Sequence, residues 1–201
     1  MHLLRLCVLI TVLSSSVAAQ SAFAAGALTY FEVGTAYYNE GKLDLAIKSF
    51  GDAIASDPNF VEAYHNRGLA YFGKGRYEEA VRDFSRAVAL KPDFIDAYHS
   101  RALARLKSGE IMEAIDDETK VIALNPKFAE AYHNRGVAWA RNGKYDEAIR
   151  DYDQAIALAP GYANTYFSRG VALLRKAASD FRQACSMGNK FACENLKQIS
   201  E

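Results

Sequence analysis

Charge of one sign is the first thing this chain lacks. Its 201 residues carry 24 Lys plus Arg against 24 Asp plus Glu. A nucleic-acid binder gathers a basic excess on one face, because neutralising phosphates supplies most of its affinity. No nucleic acid is therefore expected among its partners. Long apolar runs are equally scarce: beyond the first residues none could span a bilayer, which needs about 20 predominantly apolar residues. Cysteine is rare, with only Cys7, Cys185 and Cys193. Catalytic signatures are missing too. No Gly-rich phosphate loop follows a strand, no GxSxG elbow occurs, and neither Cys185 nor Cys193 has a histidine beside it. These absences predict a chain that is not an enzyme, with no cofactor and no small-molecule substrate.

What is present begins with a leader. "MHLLR" is a short basic start, "LCVLITVL" is apolar, and "SSSVAAQSAFAAGA" is a tail of small residues. Together they read as a secretory signal peptide over residues 1–24. Ala22-Phe23-Ala24 offers the small-x-small cleavage pattern, and Val17-Ala18-Ala19 offers an earlier one. A retained anchor is the competing reading, but Ser14-Ser15-Ser16 interrupts the apolar run soon after it starts. Cleavage would remove Cys7 and leave two cysteines, an even number that suits an oxidising, exported location, periplasmic or secreted. No membrane span would then remain.

Beyond the leader the chain repeats itself. "AYHNRG" (Ala63 to Gly68) returns as "AYHSRA" (Ala97 to Ala102) and "AYHNRG" (Ala131 to Gly136), and "TYFEVG" (Thr29 to Gly34) and "TYFSRG" (Thr165 to Gly170) extend the series in both directions. The step is 34 residues throughout. Within one unit, apolar residues recur at three and four spacing: Tyr64, Gly68, Tyr71, then Tyr77, Ala80, Val81, Phe84, Ala87 and Val88. That is helical periodicity. Gly73 and Gly75 break the pattern in the middle and Pro92 ends it, so each unit reads as a helical hairpin. Gly68 and Ala80 remove bulk where the helices approach, and Tyr64, Tyr71 and Phe84 fill the space beside them. One hairpin cannot bury its apolar faces alone, so neighbours must stack.

The set Tyr64, Gly68, Tyr71, Ala80, Phe84, Ala87 and Pro92 resembles the tetratricopeptide repeat. It returns as Tyr132, Gly136, Trp139, Ala148, Tyr152, Ala155 and Pro160, and as Tyr30, Gly34, Tyr37, Ala46, Phe50, Ala53 and Pro58. The resemblance implies an all-α, right-handed superhelical stack of hairpins, an α-solenoid. Its array would run over residues 27–187, as units 27–60, 61–94, 95–128, 129–162 and a shortened 163–187, with a C-terminal capping helix over 188–201. It also implies an interaction scaffold whose first helices line a concave groove. The groove residues would be Phe31 and Tyr38, then Glu62, His65, Leu69 and Phe72, then Asp96, His99, Leu103 and Leu106, then Glu130, His133 and Val137. Such a surface, apolar in its middle with acid and histidine along one margin, suits a partner protein's extended segment or amphipathic helix. The chaperone-binding subclass clamps a carboxylate with Lys, Asn and Arg. Here the matching places hold His65, Leu69, Ser100, Glu130 and Asn134, which does not make a clamp.

Comparing the repeats with one another adds three expectations. Arg67, Arg101, Arg135 and Arg169 share one register and Asp83, Asp117, Asp151 and Asp180 another, while the first unit has Val33 and Ser49 and loses both charges together. This predicts an Arg to Asp bridge in each hairpin. The third unit puts Arg105 and Glu118 where its neighbours have Tyr71 with Phe84 or Trp139 with Tyr152, which suggests an ion pair replacing an aromatic pair; two exposed charges on a loosened repeat are the other reading. The pairs Glu62 with His65, Asp96 with His99 and Glu130 with His133 put an acid and an imidazole on one helical face. Equivalent helices lie about 8 to 10 Å apart, too far for ligands to converge on one zinc, so the histidines are expected to form a solvated stripe and bind no metal.

In the last unit, "TYFSRGVALLRK" runs straight into "AASDFRQAC", omitting the five residues that the fourth unit spends as "NGKYD" (Asn142 to Asp146). No Gly or Pro marks a turn, and Ala177 and Ala178 are strong helix formers, which favours one fused helix over an improvised turn. Cys185 and Cys193 flank Gly188. Their spacing resembles cysteine-rich secreted relatives of the repeat, in which paired cysteines staple consecutive helices; a free pair is the other reading. The expected function is an exported scaffold or adaptor that binds a partner protein in its groove. The alternative is a periplasmic assembly factor or holdase-like chaperone for envelope proteins.

Overall fold

The computed structural model describes residues 26–200. The leader and its cleavage patterns lie outside the described residues. Every described element is helical, and no described helix is long and apolar enough to cross a membrane. The chain divides into two compact units after Ala97. The first unit holds α1 (residues 26–39), α2 (Leu43–Ser56), α3 (Val61–Gly73) and α4 (Tyr77–Leu90). Here α2 packs on α3 and α3 on α4. The division falls near the start of α5 (Ile95–Ser108), after which the second unit continues with α6 (Ile111–Leu124), α7 (Ala129–Arg141), α8 (Tyr145–Leu158), α9 (Ala163–Ser186) and α10 (Lys190–Ser200). In it α7 packs on α6 and α8, and α9 on α8 and α10.

Two kinds of punctuation cut the chain into hairpins. Inside each hairpin the turn needs a left-handed residue, and glycine supplies it: Gly41, Gly75, Gly109 and Gly143 all have φ between 73° and 92°, a region that penalises a Cβ. At Gly75 the two closing bonds run from Gly75 N to Phe72 O and from Arg76 N to Tyr71 O, both 2.9 Å, which satisfies carbonyls that the helix end would leave open. Between hairpins the residue before proline leaves the helical region, with φ between −132° and −140° at Asp57, Lys91, Asn125 and Ala159. Pro58, Pro92, Pro126 and Pro160 force this by clashing with an α conformation in the preceding residue.

The core of a hairpin is a ring set into a glycine. A Cβ added to Gly34 would lie 2.6 Å from the Phe50 ring, and one on Gly68 or Gly136 would lie 2.7 Å from Phe84 or Tyr152. Phe50 and Phe84 are fully buried; each such ring contributes about 1.5 to 3 kcal/mol through burial. Burial pushes the Tyr152 phenol up to about 12, against an opposing hydrogen bond with Ser168.

The fifth unit follows the fused reading: α9 runs unbroken through the place where the turn is missing. Cys185 and Cys193 form a disulfide that ties the end of α9 to α10, across a turn made by Gly188 at φ 94°.

Candidate protein-interaction groove

The predicted bridges form in three hairpins. Arg67 grips Asp83 with Nε and Nη2, both at 2.7 Å. Arg101 does the same to Asp117 at 2.9 and 2.6 Å, and Arg135 to Asp151 at 2.8 and 2.7 Å. The fork of a guanidinium matches a carboxylate in this way. Hydrogen bonds from Arg67 and Arg135 to their aspartates raise both guanidinium pKa values, overcoming the opposing effect of burial. The fourth bridge does not form. Arg169 pairs with Asp153 on α8 instead, because Asp180 lies further along the same continuous helix and cannot fold back.

The third hairpin corrects a second expectation. Arg105 and Glu118 are not partners. Arg105 Nη1 donates to Asp117 Oδ2 at 2.6 Å, beside the Arg101 fork. Glu118 is fully buried, and its two oxygens lie 3.0 and 3.2 Å from Nδ1 of His99. Arg105 is one helical turn beyond Arg101 and reaches the same carboxylate, whereas Glu118 occupies the ring position that faces His99. Burial raises the Glu118 carboxyl pKa, with His99 opposing the shift and Asp117 adding to it.

Nor are the histidines a solvated stripe. His65 packs between Phe84 and Phe94, with centroids at 5.5 and 5.0 Å. His133 packs between Tyr152 and Tyr162 at 5.7 and 5.5 Å, with Nδ1 3.0 Å from Thr165 Oγ1. His99 meets Phe128 at 5.1 Å, and Phe31 takes the same place between Phe50 and Phe60 at 5.6 and 4.9 Å. The second ring always comes from one register, Phe60, Phe94, Phe128 and Tyr162. Sequence reasoning missed it, although it recurs at the 34-residue step and is aromatic each time.

Burial lowers the pKa of His65, with Asp96 opposing, and that of His133, with Glu130 opposing. The unfolded chain therefore binds protons that the fold does not. Stability from the neutral rings is complete above the ordinary 6.5 and is lost as the pH falls below it. Glu118 acts in the opposite sense: the fold holds a proton more tightly than the unfolded chain, so its burial costs stability as the pH rises above 4.5. Replacing His65→Phe, by analogy with Phe31, should remove part of the acid sensitivity. The melting temperature of the variant should exceed that of the wild type by more at pH 5.5 than at pH 7.5, while an equal difference at both would show that His65 titrates alike in both states.

The remaining groove candidates separate by burial. Glu62, Asp96 and Glu130 are exposed, and Tyr38, Leu69, Phe72, Leu103 and Val137 are half-buried. Phe72 meets Tyr77 edge-on at 5.4 Å. Leu106 is a core residue instead, 7% exposed among Ala102, Ala114, Ile115 and Ala138, so it offers little to a partner. In the second unit Val137 and Ala140 line an open cavity of about 370 Å³ with Phe167, Val171, Tyr145 and Arg175. Phe167 there is 74% exposed. Phe167 and Val171 hold the same repeat positions as His133 and Val137, one unit on, but were not among the expected groove residues.

Family models match the chain in three places, as TPR repeat over residues 34–75 and 68–109 and as tetratricopeptide repeat over 129–162. The chain belongs to the tetratricopeptide repeat family. Its fold is similar to that of the MamA protein, with a TM-score of 0.73 at 28% identity, over 87% of this chain and 90% of that one. It is also similar to the first TPR of Spaghetti (RPAP3), solved bound to the HSP90 peptide SRMEEVD, at 30% identity and a TM-score of 0.58 over 60% of this chain and 95% of that one. YrrB, described as a TPR protein with an unusual peptide-binding site, shares the fold at 22% identity and a TM-score of 0.66, over 86% of this chain and 84% of that one. No curated protein sequence matches this chain.

Proposed function

We propose that this tetratricopeptide repeat protein is an exported scaffold that binds a segment of a partner protein, without catalysis. The observation that carries this reading is the apolar cavity in the second unit, where Val137, Ala140, Phe167 and Val171 leave apolar surface open to solvent. Internal packing does not require that surface, since the residues at these positions differ from repeat to repeat while Gly68, Gly136 and their rings recur. The RPAP3 repeat domain binds a peptide at 30% identity, which supports the same use of the fold here. Exposed Arg175 in the cavity wall favours a partner with an acidic residue beside its apolar anchors. Export is supported by the leader and by the Cys185–Cys193 disulfide, a bond that persists in oxidising compartments.

The test uses a peptide selected by the wild-type protein from a display library. Phe167→Asp combined with Val171→Asp, at positions 74% and 41% exposed, should weaken its binding at least about a hundredfold, equal to about 2.7 kcal/mol. Helical content and melting temperature should change little, because the charges stay hydrated in the free protein and must be desolvated only on binding. Undiminished binding by the folded variant would place recognition elsewhere.

A further inference from the structure

Helix α9 contains both halves of a hairpin with no turn to close it. Its first half keeps Tyr166 and Gly170 of the family's receiving pattern, with Leu173 where Tyr71 and Trp139 stand and Arg169 in the bridging register. Its second half keeps the inserting pattern, Ala177, Phe181 and Ala184, with Asp180 in the register of Asp83 and Asp151. In the hairpins that close, glycine is filled: an added Cβ would touch a ring at Gly34, Gly68 and Gly136. At Gly170 it would meet nothing within 4 Å, and the flanking Tyr166 and Leu173 are 43% and 48% exposed. The inserting side is correspondingly less covered. Ala177, Phe181 and Ala184 are half-buried, whereas Ala80, Phe84 and Ala87 are completely buried.

Within one chain the two halves cannot meet. At about 1.5 Å per residue, Asp180 lies about 16 Å along the helix axis from Arg169. Two chains remove the obstacle. The helices of a closed hairpin are antiparallel, so two α9 helices laid antiparallel about a two-fold axis place the receiving half of each against the inserting half of the other. We propose that the protein forms such an exchanged dimer, with Phe181 of each copy seated against Gly170 of the other and Arg169 of each bridged to Asp180 of the other. Shortening the turn of a hairpin is a physical route to this kind of exchange, and the contact is self-complementary as two-fold symmetry requires. The present partner of Arg169, Asp153, has a side chain 54% exposed, and an exposed pair of this kind holds its partners weakly. The disulfide binds α10 to the inserting half, so α10 would travel with it. This inference does not depend on the groove reading.

Light scattering and sedimentation of the full mature chain over about 1 to 100 µM should show a dimer. Inserting the Gly143 to Glu147 sequence between Lys176 and Ala177 restores the missing turn and should give a monomer of undiminished helicity. Gly170→Ala adds a methyl that touches nothing in the single chain, yet should raise the dimer dissociation constant by about tenfold or more. Arg169→Asp and Asp180→Arg should each weaken self-association to a similar extent, and equimolar mixing of the two should restore it, because both bridges re-form only in the mixed dimer. A wild-type monomer across the whole range would overturn the proposal. So would a turn-restored variant that folds and still dimerises as tightly, or a charge-reversed mixture that stays as weak as its components.

Discussion

Alanine in place of Asp117 is expected to destabilise the protein by about 3 to 5 kcal/mol, the cost of stranding a buried charge, and by more than alanine in place of Asp83 or Asp151. Asp117 is only 3% exposed and receives both the Arg101 fork and Arg105 Nη1. Its removal leaves two guanidinium groups without their carboxylate, whereas removal of Asp83 or Asp151 leaves one. Unequal cost should appear in urea unfolding of the three variants at pH 7. Equal losses would mean that Arg105 turns to solvent or to Glu110, which already lies 3.7 Å from its Nε.

The contrast between Asp117 and its neighbours shows what could be read from sequence. Packing demands small residues and rings at the same places in the first, second and fourth hairpins, so a 34-residue period carries the fold directly. The Arg to Asp bridges were legible for the same reason: the first unit changes both positions together, as Val33 and Ser49. Register alone does not say which side chains touch, however. Arg105 and Glu118 replace two rings, yet the neighbouring carboxylate of Asp117 is a better partner for Arg105 than the one opposite in pattern.

The histidines erred in another way. Three-residue spacing shows that Glu62 and His65 share a face, but not that a ring from Phe94 arrives to cover it. That ring belongs to the connection between hairpins, where periodicity within helices is silent. The fused helix was legible because every other hairpin turn has a glycine at positive φ and "KAASD" offers none. That Phe167 and Val171 lie open beside Val137 depends on how the last hairpin fails to close, which no local pattern encodes.

The third hairpin differs from its neighbours at a second place that the ring geometry explains. Where Gly68 and Gly136 receive Phe84 and Tyr152, this hairpin has Ala102 and Glu118. A methyl at the glycine position leaves no room for a ring, as the 2.7 Å approach at Gly68 shows, but it tolerates the slimmer carboxylate. Glu118→Phe alone should therefore cost about 1 to 3 kcal/mol through overpacking, and Ala102→Gly alone about 1 kcal/mol through lost helix propensity. Together they should stabilise the protein, because replacing a buried ionic contact by packed apolar atoms is often worth about 1 to 4 kcal/mol. The His99 ring would then rest on phenylalanine as His65 rests on Phe84. A double-mutant cycle at pH 7 should show coupling of at least about 2 kcal/mol, whereas contacts that do not interact add to within about 0.5 kcal/mol. The advantage of the double variant should shrink toward pH 4, since protonation relieves the wild type of its buried charge. Additive single effects would mean that Ala102 and Glu118 changed independently, and that the third hairpin has no ring for a reason outside this contact.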